Sequence, residues 1–193
     1  MDPVWLEDLI EVLASAHKAA DGDAVTRALK YAKSLVGAPY TPWSNNGRKA
    51  GAASTPDAPF WASDTGPPPT EEVRARGANC AGFVNLIRRE LGLPVPGVKS
   101  GERYAGGTSV WWEHATSNGW LSPYNPAALY PPGTLLLRPF KDAKDQGHMA
   151  VQFDSKNIIH STSDKPNNGV CIEPLRHGRS YFKATVAPHL WMR

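Results

Sequence analysis

The chain has 193 residues, a length that suits one domain with its own core, and 20% of them are charged, with a net charge of +3. This balance excludes a strongly basic nucleic-acid binder. No apolar stretch approaches the length of a membrane span, and the first residues lack the basic and apolar regions of a secretory signal. We therefore expect a single domain over 1–193 that is cytoplasmic or is exported by a route that needs no such signal.

Two helices are predicted before residue 40. Asp2 and Pro3 are typical of a helix cap and a first-turn proline, and apolar residues then recur at helical spacing to about Ala20. A second helix is predicted over 24–36, with Gly37 as its end. Residues 1–36 would together form an N-terminal helical extension.

The segment 44–78 has a different composition. Small and polar residues and proline dominate it, and Phe60 and Trp61 are its only adjacent large apolar side chains. A loop of this length inside a compact domain is commonly a lid, a binding loop or a disordered segment. We interpret it as a long inserted loop, and two readings stay open: a partly ordered lid pinned by Phe60 and Trp61, or a passive insertion.

A further helix is predicted to begin at Cys80 and to run to about Leu91, where Gly92 follows. The pattern places Arg88 and Arg89 on its solvated face. A short helix is expected within the stretch 97–125, which is rich in glycine and aromatic residues.

The second half of the chain predicts strands. They are expected at 134–137, around His148, around Ile158, at 169–173 and at 181–187. Helices thus come first and an antiparallel meander of about five to six strands follows, which is an α+β pattern.

Three residues carry the chemistry that this pattern suggests. A cysteine that opens a helix has its thiolate stabilised by the helix N-terminus, and a nearby imidazole can take its proton. We therefore assign Cys80 as nucleophile, His148 as general base and acid, and His160 as the residue that orients His148. Backbone N–H groups at the helix start, such as that of Cys80, would form an oxyanion hole.

The two histidines meet only if the turn between their strands has an odd number of residues. With a turn at 154–156 and Phe153 opposite Asn157, Ala150 lies opposite His160. His148 then lies on the same face one diagonal step away, about 7–8 Å at Cα. A two-residue turn would send the imidazoles to opposite faces, so we predict a turn with an odd number of residues here.

Short motifs around these residues resemble those of a known family. Residues 79–83 read Asn-Cys-Ala-Gly-Phe, 147–152 read Gly-His-Met-Ala-Val-Gln, and 158–160 read Ile-Ile-His. In order and spacing they resemble the NlpC-type (NlpC/p60) cell-wall cysteine peptidases, with Asp-Cys-Ser-Gly-Phe, Gly-His-Val-Gly-Ile-Tyr, and an apolar pair followed by His. Val-Gly-Ala-Pro-Tyr at 36–40 and Pro-Gly-Thr-Leu at 132–135 are weaker matches.

The resemblance implies a papain-like α+β fold, in which N-terminal helices pack on a central antiparallel sheet and the catalytic cysteine lies at a helix N-terminus. It also implies a thiol amidohydrolase. Such enzymes cleave the D-glutamyl–diamino acid amide of peptidoglycan stem peptides through an acyl-enzyme, which would form here on Cys80.

The sequence departs from the family beside the nucleophile. In several members the Asp before the cysteine and the Ser after it help to bind the free amine of the stem peptide; here they are Asn79 and Ala81. A charge-assisted hydrogen bond contributes about 1.5–3 kcal/mol, so an uncharged or acylated amide, or another isopeptide, becomes a candidate substrate. Together with Tyr40 and Trp111, these two residues are our candidate substrate-binding positions.

Other interpretations stay open. Cys80, His148 and His160 could together ligate zinc, but their spacing matches no compact zinc motif, so we expect no metal and no cofactor. A disulfide to Cys171 would consume the nucleophile, so two free thiols and a reducing compartment are expected. The chain could also be a papain-like acyltransferase, an amidase acting on a non-wall amide, or an inactive binding module. The expected partner is a stem peptide or a related small amide, without nucleic acid, and an inhibitor or immunity protein stays an open question.

Overall fold

The computed structural model describes residues 22–42, 58–101, 105–142, 147–164, 166–175 and 181–193. The predicted helix from Asp2 to Ala20 lies outside these residues. The second predicted helix is confirmed, with helical residues at 22–34 and a turn that ends at Gly37, whose φ is +91°.

The elements of the described residues follow one another in an α-then-β order. The helices are α1 (22–34), α2 (Ala58–Ala62), α3 (Thr70–Arg76), α4 (Cys80–Glu90), α5 (Thr108–Ser117) and α6 (Pro188–Trp191). The strands are β1 (Leu121–Pro123), β2 (Leu135–Arg138), β3 (His148–Gln152), β4 (Asn157–Thr162), β5 (Gly169–Pro174) and β6 (Ala184–Val186). None of the described helices is long and apolar enough to cross a membrane.

The strands form one antiparallel sheet in the order β1-β6-β2-β3-β4-β5. The predicted α+β class is therefore confirmed, with six strands in the described sheet. Buried residues alternate along β2, so Leu135 and Leu137 join the core that the helices cover, whereas Leu136 joins a smaller cluster on the other face with Phe182.

Helix α4 supplies the centre of the larger core. Its Phe83, Leu86 and Ile87 are fully buried, and burying each such side chain contributes about 1.5–3 kcal/mol. The helix contacts both β3 and β4. This packing, together with the cap described below, fixes the position of its first residue, Cys80.

The β3–β4 hairpin has the predicted register. Val151 pairs with Ile159 and Gln152 with Ile158, which puts three residues in the turn. Asp154 holds that turn, because its Oδ1 accepts the backbone N–H groups of Lys156 and Asn157 at 2.8 and 2.9 Å. The paired residues end at Val151 and Ile159, so the two strands separate toward His148.

The prediction that Arg88 and Arg89 face solvent was wrong. Their residues are 5% and 6% exposed, and both guanidinium groups donate to main-chain carbonyls. Arg88 Nε donates to Pro94 O at 2.6 Å, and Arg89 Nε donates to Thr65 O at 2.8 Å. A long arginine side chain can satisfy several loop carbonyls at once, and this use of a charged residue leaves no trace in helical periodicity.

The described part of the predicted 44–78 insertion contains α2 and α3 as well as loop. Trp61 is 1% exposed, and its Nε1 donates to Gly77 O at 3.0 Å. Its ring lies so close to α4 that a Cβ on Gly82 would come within 2.9 Å of it. This segment thus packs directly on the first turn of α4, beside Cys80.

Candidate active site

Cys80 is the first residue of α4, and Asn79 caps that helix. Asn79 is extended, and its Oδ1 accepts the N–H of Gly82 at 2.6 Å. Ser161 Oγ on β4 donates to the carbonyl of Ala78 at 2.6 Å. The start of the helix is therefore tied to the strand that carries His160.

Burial and local hydrogen-bond donors have opposite effects on the pKa of the Cys80 thiol. The residue is 9% exposed. Burial raises its pKa, whereas hydrogen bonds from the backbone N–H groups of Met149, Ala81 and Cys80, and the charge of Arg138, lower it. The resting group is therefore a thiol, and the hydrogen-bond donors that would stabilise its thiolate are already in position. Met149 follows His148 on β3, so the contact from its N–H places the thiol of Cys80 one residue from His148 along that strand.

Tyr40 is brought to the thiol by the segment 38–41. Gly77 makes this possible: its φ is +77°, and a Cβ there would lie 2.1 Å from Pro39 O. Ala78 N then donates to Pro39 O at 3.1 Å. Burial and the proximity of Cys80 raise the pKa of Tyr40 well above its usual range, so its hydroxyl stays a hydrogen-bond donor at neutral pH.

The structure brings His148 and His160 together. His148 Nε2 and His160 Nδ1 are 2.7 Å apart, and the two rings meet edge to face with their centroids 4.9 Å apart. Both residues are buried, at 6% and 1% exposure. Because the strands separate here, the imidazole contact bridges positions where the backbones are not paired.

Glu173 extends this contact by one residue, and sequence reasoning missed it. Its Oε1 lies 3.1 Å from His160 Nε2, a close polar contact whose angles fall outside those of a hydrogen bond. Asn167 Nδ2 donates to the other carboxylate oxygen at 2.9 Å. The signal that could have found it is register: His160 pairs with Cys171, so Glu173, two residues on, shares that face.

The Glu173 carboxylate favours one pair of imidazole tautomers. Because a carboxylate only accepts, its negative charge favours the proton of neutral His160 on Nε2, which makes Nδ1 an acceptor. His148 Nε2 must then donate to it, which leaves Nδ1 of His148 as the unprotonated nitrogen. The row from Glu173 through both imidazoles thus prepares His148 to accept a proton at Nδ1. We call this row the relay.

An aromatic wall lies beside the relay. The His148 ring is 5.6 Å from the Tyr181 ring and 6.0 Å from that of Phe182, by centroids. The guanidinium of Arg138, the residue paired with His148 across β2 and β3, stacks over Tyr181 at 4.2 Å. Burial raises the pKa of Tyr181 to about 12, so it too remains a neutral donor. The sequence analysis did not identify this wall.

The four predicted substrate-binding positions have different surroundings. Tyr40 is half-buried near Cys80, while the side-chain oxygen of Asn79 is engaged in the helix cap and Ala81 is 3% exposed. Trp111 needs correction. It is fully buried in the core, where its Nε1 donates to Asn85 Oδ1 at 2.8 Å, so it is not available to a substrate in this structure.

Both cysteines are free, as expected. Cys171 lies on β5 opposite His160, and burial together with the Glu173 carboxylate raises its pKa to about 11. It is therefore a protonated thiol at neutral pH, and its charged neighbour opposes a thiolate, whereas the N–H donors around Cys80 favour one.

No protein-family model and no curated protein matches the chain. Among solved structures it is similar to the peptidoglycan hydrolase RipB from Mycobacterium tuberculosis, at 18% identity and a TM-score of 0.49 over 86% of this chain. The chain covers 66% of the RipB chain.

Two further similar structures are single domains. One is the P60 domain of antigen MAP1204 from M. avium subspecies paratuberculosis, at 16% identity and a TM-score of 0.49 over 86% of this chain and 96% of that one. The other is the NlpC/p60 domain of the peptidoglycan hydrolase SagA, at 15% identity and a TM-score of 0.43 over 84% of this chain and 97% of that one. The solved structures to which this chain is similar thus include domains of the NlpC/p60 type, the family that its motifs resemble.

Proposed function

We propose that the chain is a thiol amidohydrolase of the NlpC/p60 type that cleaves amide bonds in peptidoglycan stem peptides. One observation supports the chemistry above all: His148 Nε2 lies 2.7 Å from His160 Nδ1, while the N–H of Met149, the next residue on β3, contacts the buried thiol of Cys80. The substrate class follows from the motif resemblance, and peptidoglycan hydrolase is also the description that RipB and SagA carry.

In the proposed reaction, Nδ1 of His148 takes the thiol proton while Sγ of Cys80 attacks the amide carbonyl carbon. The carbonyl oxygen becomes an oxyanion within reach of the N–H groups at the helix start. His148 returns the proton to the leaving amine as the C–N bond breaks. Water, deprotonated by the same nitrogen, then hydrolyses the thioester and regenerates the thiol.

The surroundings of Cys80 favour a substrate that has no free ammonium group at its amino end. Asn79 supplies a neutral carboxamide engaged in the cap, and the charge close enough to lower the thiol pKa is that of Arg138, which is positive. A cation would meet repulsion here rather than a carboxylate. We therefore propose cleavage of the D-glutamyl–diamino acid amide within stem peptides whose amino end is acylated.

The test is mass spectrometry of a muropeptide pool that contains both free and acylated amino ends. Wild type should release new fragments, mainly from the acylated members, and Cys80→Ala should release none. His189→Ala is the control, because His189 lies exposed on α6 and should leave the products unchanged. Fragments that persist with Cys80→Ala would disprove the assignment of the nucleophile.

A further inference from the structure

Three metal-ligating side chains converge at the Glu173 end of the relay. Nε2 of His160, Sγ of Cys171 and a carboxylate oxygen of Glu173 all lie within 4.8 Å of one another. The sheet explains why: His160 and Cys171 are direct partners across β4 and β5, and Glu173 follows on the same face. This cluster is distinct from the proposed pair of Cys80 and His148, although it shares the relay through His160.

The donor set and its dimensions suit zinc. Zinc binds imidazole, thiolate and carboxylate with bonds of about 2.0–2.3 Å, so a tetrahedral site has its ligand atoms about 3.4 Å apart. The imidazole nitrogen of His160 and the Glu173 oxygen are already 3.1 Å apart. Since none of the three atoms is more than 4.8 Å from another, Cys171 reaches its place with a movement of at most about 1.4 Å.

An ion can reach the cluster from the end of the sheet. β5 is the last strand of the described sheet, and among the described residues the segment 37–40 covers its beginning, through bonds to Asn168 and Val170 and the bridge at Gly169. The Glu173 side chain is 23% exposed, whereas that of His160 is 1% exposed. A cation would therefore meet Glu173 before it reaches His160.

We propose that Zn²⁺ binds to His160, Cys171 and Glu173 with water as a fourth ligand, and that this binding switches the hydrolase off. The inhibition rests on the function proposed above; the binding does not. Zinc needs the lone pair of His160 Nε2, so that nitrogen gives up its proton, and Cys171 releases its thiol proton as well.

Coordination also reverses the tautomers along the relay. The proton shared by the imidazoles moves from His148 Nε2 to His160 Nδ1, and neutral His148 takes a proton from solvent at Nδ1. Two protons leave, one enters, and one is released for each zinc bound. With Nδ1 of His148 protonated, the thiol of Cys80 has lost its base.

The binding is tested with Co²⁺, whose thiolate charge-transfer absorption reports a cysteine ligand. Reduced, metal-free wild type and Cys80→Ala should develop the same band on titration, and Cys171→Ser should develop none. Bands that vanish in Cys80→Ala and persist in Cys171→Ser would overturn the proposal, as would the absence of a band in all three proteins. If Cys171→Ser fails to fold, protection of Cys171 from maleimide by Zn²⁺, read by peptide mass spectrometry on Cys80→Ala, decides instead; no protection overturns it.

The inhibition is tested on hydrolysis, with each protein compared with its own metal-free rate. Zn²⁺ should slow wild type, and Cys171→Ser should require about tenfold more Zn²⁺ or more for the same effect, equivalent to about 1.4 kcal/mol of binding. Equal sensitivity of the two proteins would overturn the inhibitory part. A protein without hydrolytic activity would instead contradict the proposed function, while the cobalt spectra would still decide whether the site exists.

Discussion

The two cysteines show how neighbours, rather than burial alone, decide the chemistry of a thiol. Burial raises the pKa of both Cys80 and Cys171. Around Cys80, backbone N–H donors and the charge of Arg138 oppose that shift, whereas around Cys171 the carboxylate of Glu173 adds to it. The first site is therefore prepared for a transient thiolate, and the second keeps its proton unless a cation replaces it.

Among the changes that test this contrast between the cysteines, removing the base beside Cys80 should have the largest effect on activity. His148→Ala should lower kcat by about 10²–10⁴-fold, because Cys80 then has no proton acceptor. His160→Ala should cost less, since it removes only the residue that holds His148 in position. Steady-state kinetics on a cleaved muropeptide measures both, with His189→Ala as the control. A larger loss for His160→Ala than for His148→Ala would exchange their roles.

Removing the carboxylate of Glu173 should have a smaller effect. Glu173→Gln offers His160 an amide that can donate, so the tautomers mix and a fraction of His148 carries its proton on Nδ1. We expect kcat to fall about tenfold, equivalent to about 1.4 kcal/mol, with KM unchanged.

The matched control for this variant is Glu113→Gln, the same chemical change at an exposed position on α5. ¹⁵N chemical shifts of the imidazoles provide a readout that a merely structural role would not move. Wild-type shifts that place the His148 proton on Nδ1 would contradict the tautomer assignment itself.

Two features of the site depend on local sequence pattern and were predictable from it. The requirement that His148 and His160 share one face predicts an odd-numbered turn at 154–156, and the structure has that register, with Asp154 holding the turn. A helix starting at Cys80 likewise follows from its apolar spacing, and the structure adds the cap at Asn79.

Features that depend on distant parts of the chain were not predictable in the same way. Glu173 contacts His160 only because β5 pairs with β4 in one particular register, and Tyr181 reaches His148 from the end of the chain. Arg88 and Arg89 were misassigned for the same reason: the carbonyls that bind them belong to segments remote from α4 in sequence or beyond its end. Helical periodicity identifies the apolar face of a helix, but it does not show which other segments of the chain contact the opposite face.

Placing a carboxylate beside Cys80 should give it the kind of neighbour that Cys171 has. Asn79→Asp keeps the helix cap, since both residues cap well, and adds a negative charge next to the nucleophile. A stem peptide with a free ammonium group should gain a charge-assisted hydrogen bond, and its KM should fall about tenfold, whereas KM for the acylated peptide should stay unchanged. An equal change for both substrates would show that residue 79 does not face the amino end of the substrate.

The smallest expected effect is that of Arg138 on the pH dependence of alkylation at Cys80. Burial raises the pKa of this thiol, so the rate of its reaction with iodoacetamide should climb as pH rises above neutral. The positive charge of Arg138 lowers that pKa, so Arg138→Gln should move the inflection to higher pH. Peptide mass spectrometry resolves Cys80 from Cys171 in the same sample, and Lys183→Gln, an exposed change of equal charge, should leave the profile in place. A shift to lower pH with Arg138→Gln would mean that the guanidinium does not stabilise the thiolate, and the contrast between the two cysteines would then rest on the backbone donors alone.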